Sequence, residues 1–134
     1  MTDQRFLSPE NWPRPKGYAN GVATRGRFVF VAGQVGWNPV TGKFETDDLA
    51  EQVAQALKNI VSVLREGVAE PGHITRLTWY VTDKQAYLES QAKIGEAYRS
   101  VLGKHFPAMS VVEVKGLIEP RAKVEIEATA VVPE

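Results

Sequence analysis

The chain has no cysteine among its 134 residues. That excludes disulfides, thiolate metal sites and a cysteine nucleophile. Net charge is missing too, because 16 lysines and arginines stand against 16 aspartates and glutamates. Nucleic-acid binders draw much of their affinity from neutralising phosphates, and no basic run or aromatic-interleaved basic patch offers that here. His73 and His105 are isolated and lack metal-ligand spacing. Glu113, Glu125 and Glu127 have no His or Asp partners beside them, so no metal is expected. Long apolar runs are absent as well. The opening residues MTDQRFLSPEN contain no charged segment followed by an apolar core, and nothing approaches the ~20 residues of a membrane span. The expectation is a cytoplasmic protein with neither nucleic acid nor membrane as partner.

What is present fits an ordinary globular chain: 43% of residues are hydrophobic, enough for a real core. A single domain over residues 1–134 is expected, with residues 1–17 as an irregular arm because Pro9, Pro13 and Pro15 interrupt it. Residues 18–24 and 27–33 read as a hairpin about Arg25-Gly26. In the second of these, both alternating sets are apolar, as in a strand inside a sheet. Residues 34–44 form a loop displaying Trp37.

The clearest helix covers residues 46–66, where Leu49, Val53, Leu57, Ile60 and Leu64 recur at helical spacing. Asp48 to Glu51 has the spacing of a capping box, although Thr46 or Asp47 could also serve as the cap, and Gly67 supplies a stop. Residues 74–82 alternate as a strand, with Leu77, Trp79 and Val81 opposite Arg76, Thr78 and Tyr80. A second helix is read over residues 84–102 behind Asp83, with Gly95 inside it as a sign of close packing. Two final strands follow, at residues 109–114 and 123–132.

This order, ββ-α-β-α-ββ, predicts an α+β fold. Right-handed crossovers would place both helices on one face of a mixed sheet. On the last strand Val124, Ile126, Ala128 and Ala130 form an apolar row against Glu125, Glu127 and Thr129. Met109, Val111 and Glu113 share one face of the strand before it. The face left bare is expected to include Val29 or Phe30, Met109, Val111 and Val131. It is too apolar for water and should be buried by self-association, leaving room for ligand clefts between subunits.

Several stretches together resemble the RidA (YjgF) family, also called endoribonuclease L-PSP. They are Gly17-Tyr18 with Gly21-Val22, Val31-Ala32-Gly33-Gln34-Val35, Asn38-Pro39-Val40-Thr41-Gly42, and residues 52–64. They continue through Phe106-Pro107-Ala108, Val112-Glu113-Val114, Leu117 and Val124-Glu125-Ile126-Glu127-Ala128, spanning nearly the whole chain. The resemblance implies a chorismate-mutase-like mixed sheet and a homotrimer with small-molecule clefts at its subunit interfaces. It also implies cofactor-free hydrolysis of reactive enamines or imines to 2-keto acids and ammonia.

One departure stands out. The resemblance implies an Arg after Phe-Pro-Ala to grip a substrate carboxylate, and here that position is Met109. A thioether cannot offer the two-pronged donor set of a guanidinium. Ala32 stands where some members have Ser before the Gly-Gln pair, and Gly95 is read as standing in place of an Asn. Tyr18 and the late carboxylate Glu125 are kept. Glu125 and Tyr18 are therefore the catalytic candidates, against plain readings as a solvated strand carboxylate and a packing aromatic. Met109, Ala32, Gly33, Trp37, Gly95, Val111 and Arg121 are the substrate-binding candidates. Met109 could equally be interface packing, Trp37 an interface anchor, and Arg121 either a surface residue or a replacement cation. The function expected is an enamine or imine deaminase of altered specificity. A non-catalytic trimer binding a small metabolite is the alternative, and endoribonuclease action is third.

Overall fold

Alternation along residues 74–82 and 123–132 decides which side of a sheet goes dry. The computed structural model describes residues 3–134. In chain order the elements are β1 (Arg5–Leu7), β2 (Gly21–Ala23), β3 (Arg27–Val35), α1 (Leu49–Glu66), β4 (Ile74–Val81), α2 (Lys84–Glu89), α3 (Gln91–Leu102), β5 (Ala108–Glu113) and β6 (Val124–Val132). A four-stranded mixed sheet has the order β3-β6-β4-β5, antiparallel except for the parallel pair β4 and β5. The crossovers from β3 to β4 and from β4 to β5 lay α1 and α3 side by side on one face. Leu77, Val81, Val124, Ile126 and Ala130 point into the core beneath them.

The apolar stripe of α1 is buried along its length, as its spacing predicts. Asp48 is the cap and accepts the Glu51 N–H at 2.9 Å, a bond typically worth about 1 kcal/mol. The reciprocal half of the box is rerouted. Glu51 accepts the Thr46 hydroxyl at 2.8 Å, and Thr46 Oγ1 accepts the Asp48 N–H at 3.0 Å. Two polar side chains of α1 are buried and bonded to backbone. Gln52 joins Thr46, Arg121 and Lys123, while Asn59 donates to the carbonyls of Val35 and Trp37. Together they pin the loops that flank the sheet.

Three expectations are corrected. Residues 18–24 and 27–33 do not form a hairpin. The short β2 pairs with β1 inside the arm expected to be irregular, and the nine-residue β3 pairs with the nine-residue β6. The longer ladder satisfies more backbone groups than three residues could. The second helix is divided, with Ser90 closing α2 and opening α3. Serine is a weak helix former that favours such ends. The phase of β5 is opposite to that expected. Parallel pairing sets Met109 beside Leu77 and Val111 beside Trp79, so both lie under the helices, and Ser110 and Val112 take the open face.

Candidate functional site

Two groups of candidate residues form, on opposite faces of the sheet. The first is a cleft of about 290 Å³ among α3, β4, β5 and the arm, lined by Met109, Gly95, Gln91, Trp79, Arg99 and Lys16 among others. Its aromatic wall is stacked: Tyr98 lies 6.3 Å from Trp79 at 20° and 5.3 Å from Phe106 at 11°, centroid to centroid. The Tyr98 hydroxyl donates to the His105 carbonyl. Burial pushes the Tyr98 phenol far above its ordinary pKa, and burial also raises that of Tyr87 at the cleft edge. Trp79 is 2% exposed, and its indole N–H is buried without a partner.

The second group is on the open face. The β3–β6 register slips between Val31 and Gln34, so Ala32 and Gly33 form a bulge. Glu125 lies over Gly33 so closely that a Cβ there would overlap its Oε2. Gly33 is therefore required for this carboxylate's position. The neighbouring carboxylate of Glu127 accepts the Tyr80 hydroxyl at 2.6 Å. That hydrogen bond is the main cause of a raised Tyr80 pKa, followed by burial and the negative charges of Glu127 and Glu125, with Arg76 opposing. Phe30, Ala32, Arg76, Thr78, Glu127 and Thr129 surround a shallow hollow of about 430 Å³ on the same face.

The remaining candidates are spread out. Tyr18 is exposed beside Ala19, which bridges to Ala108 at the β5 edge, and Gly17 lines the Met109 cleft. Val111 packs against the core beside Trp79. Trp37 packs near Phe44 at 6.1 Å, with its carbonyl held by Asn59. Arg121 is engaged elsewhere: it grips Asp47 at 2.8 and 3.1 Å, donates to the Phe44 carbonyl and covers the Phe44 ring. Its charge clamps a loop and does not enter the Met109 cleft. Gly95 was expected to mark close packing, yet a Cβ there would meet nothing but the flexible end of Arg99, so its contribution is open space. Glu113 is occupied by the Lys84 N–H at the start of α2, and no three metal-ligating side chains converge among the described residues.

Sequence reasoning did not single out Trp79 or Arg99 as site residues. The signal for Arg99 was its position one helical turn after Gly95. For Trp79 none was available, because an alternating strand marks an indole as core.

Comparisons with known proteins are consistent over the full length. The family profile described as endoribonuclease L-PSP matches residues 11–132. The 2-iminobutanoate/2-iminopropanoate deaminase of Escherichia coli (strain K12) is 34% identical over 131 residues, covering 95% of this chain and 97% of that protein. The solved structure of a Rid family protein of unknown function from Yersinia pestis, YyfB, has a TM-score of 0.84 at 32% identity, covering 97% of this chain and 99% of that one. That of E. coli TdcF with bound serine has a TM-score of 0.69 at 30% identity, over 96% and 98% of the two chains.

Proposed function

This chain belongs to the RidA (YjgF) family, also described as endoribonuclease L-PSP, and from that premise we propose that it hydrolyses a small enamine or imine to a carbonyl compound and ammonia. Glu125 is the group that handles the proton. A water oxygen adds to the imine carbon as Glu125 takes its proton, and that proton passes to nitrogen to give a carbinolamine. The carbinolamine hydroxyl proton then moves to nitrogen, the C–N bond breaks, and ammonia leaves.

The observation that carries this reading is the placement of the Glu125 carboxylate over Gly33, on a face whose Phe28 and Phe30 are 58% and 72% exposed. Glu125 and Met109 lie on opposite faces, so one chain does not bring them together. A second copy, in the homotrimer the resemblance implies, would set the Glu125 face of one chain against the Met109 cleft of the next and bury the exposed phenylalanines. The name of the E. coli relative supports the reaction class.

A second reading, a small-metabolite binder without turnover, is favoured by one feature. The Met109 cleft is formed by one chain alone and needs no carboxylate to hold a ligand. RNA cleavage has no support from a charge balance of 16 against 16, and salt-sensitive RNA binding would be needed to revive it.

The test is release of keto acid from 2-iminopropanoate generated in situ. Glu125→Gln is expected to lower the rate by roughly 10²- to 10⁴-fold, the range of a lost general base. Equal rates would remove Glu125 from the chemistry. If neither the native protein nor Met109→Arg releases keto acid while both remain folded, the binding reading takes its place.

A further inference from the structure

Met109 leaves the β5 side of the cleft without a cation, but the cleft is not without charge. Arg99 enters it from α3, and Lys16 from the arm. The Arg99 guanidinium folds back along the helix over Gly95, with Nη1 3.1 Å from where a Cβ of residue 95 would stand. Residues four apart share a helix face, so any side chain at 95 would compete for the space this guanidinium uses. Among the described residues Arg99 has no ion-pair or side-chain hydrogen-bond partner, and the one ion pair found is Arg121 with Asp47. Trp79 forms part of the same wall, and its indole N–H is buried without a partner. A buried unpaired donor costs free energy unless a ligand or water satisfies it. Ile94, Tyr98, Phe106 and the Met109 thioether give the wall an apolar part that suits an organic tail, and Gln91 and Tyr87 add polar groups beside it.

We propose that Arg99 anchors the carboxylate of a short organic acid in the Met109 cleft, against the wall to which Trp79 belongs. The anchoring charge thus comes from helix α3, through the opening that Gly95 leaves, and not from strand β5. At about 290 Å³ the space is at the small end for ligand pockets, which restricts the acid to a few carbons or a single ring. This deepens the function proposed above by naming its ligand anchor, but it requires binding and not turnover.

The test uses the full ¹⁵N-labelled chain titrated with pyruvate, following the Trp79 indole N–H resonance, assigned by its loss in Trp79→Phe. Pyruvate should shift that resonance saturably, and the neutral pyruvamide should not. Arg99→Ala should weaken binding by about tenfold or more, the scale of a charged hydrogen bond. Arg99→Lys should recover part of that loss, because it restores charge without the planar fork. Arg99 is exposed, so Arg99→Ala should melt where the native protein does. Gly95→Ala separates packing from recognition: it should raise the melting temperature through helix propensity yet bind pyruvate several-fold more weakly. Unchanged affinity in Arg99→Ala overturns the proposal. So does the absence of a saturable Trp79 shift with pyruvate, 2-oxobutanoate and benzoate alike. Arg99-dependent pyruvate binding without imine turnover would leave this inference standing and remove the deaminase. Imine turnover unaffected by Arg99→Ala would do the reverse.

Discussion

On β4, Leu77 is fully buried beneath the helices, and its neighbour Thr78 faces the open side of the sheet, beside Ser110 and Glu127. The same alternation divides β6 into Val124, Ile126 and Ala128 below and Glu125 and Glu127 above. The covered face consists of apolar groups whose burial stabilises the fold, and its polar atoms are few. The open face keeps carboxylates, a phenol, an arginine and exposed phenylalanines together. One set of strands thus presents an apolar face on one side and a polar and aromatic one on the other, since consecutive side chains point opposite ways.

The sharpest way to break this comparison is to truncate neighbours. Leu77→Ala should cost about 2–5 kcal/mol by denaturant unfolding, as for a large buried aliphatic, and Thr78→Ala should stay within about 0.5 kcal/mol. Similar costs for the two would mean that the open face is as tightly packed as the covered one. Phe30→Glu puts a charge on the open face. It should leave the far-UV spectrum unchanged and shift the sedimenting species towards the mass of one 14.8 kDa chain. An unchanged mass distribution would argue that this face is not where copies meet.

A smaller effect separates the tyrosines. Burial raises the pKa of Tyr98, so between its ordinary value of 10.0 and its folded value the unfolded chain loses a proton that the folded chain keeps. Stability is therefore fully present below pH 10.0 and falls as pH rises above it, by up to about 1.4 kcal/mol per pH unit for one such group. Tyr98→Phe should flatten that decline in unfolding measured at alkaline pH. The smallest effect belongs to the open face. Tyr80 is held up chiefly by its bond to Glu127, so Glu127→Gln should lower its phenolate midpoint in an ultraviolet titration. No movement would mean that Glu127 does not set it.

The covered face was largely legible from the residues. The period-two rows of β4 and β6, the helical stripe of α1 and the cap at Asp48 follow from spacing that backbone geometry imposes. β5 was misread because each phase of residues 109–114 carries two apolar residues and one polar, Met109, Val111 and Glu113 against Ser110, Val112 and Val114, leaving periodicity nothing to choose between. The separate β2 and β3 were joined in error because a Gly-containing turn is a local signal, whereas β3 finds its partner about a hundred residues away in β6. The site was legible in part. Glu125, Gly33, Met109 and Gly95 were named, but their division between two faces was not, and Arg99 was not weighed.

The sequence by itself determined α1, the buried rows of β4 and β6 and the family, because those depend on local periodicity and on motifs read in order. Tertiary structure decided which residues share a cavity. Parallel pairing with β4 turned Met109 inward, and a bulge brought Gly33 under Glu125. The empty position at Gly95 let the Arg99 side chain enter the cleft. Such contacts depend on pairing partners and free volume distant along the chain, and spacing along a sequence carries no record of either.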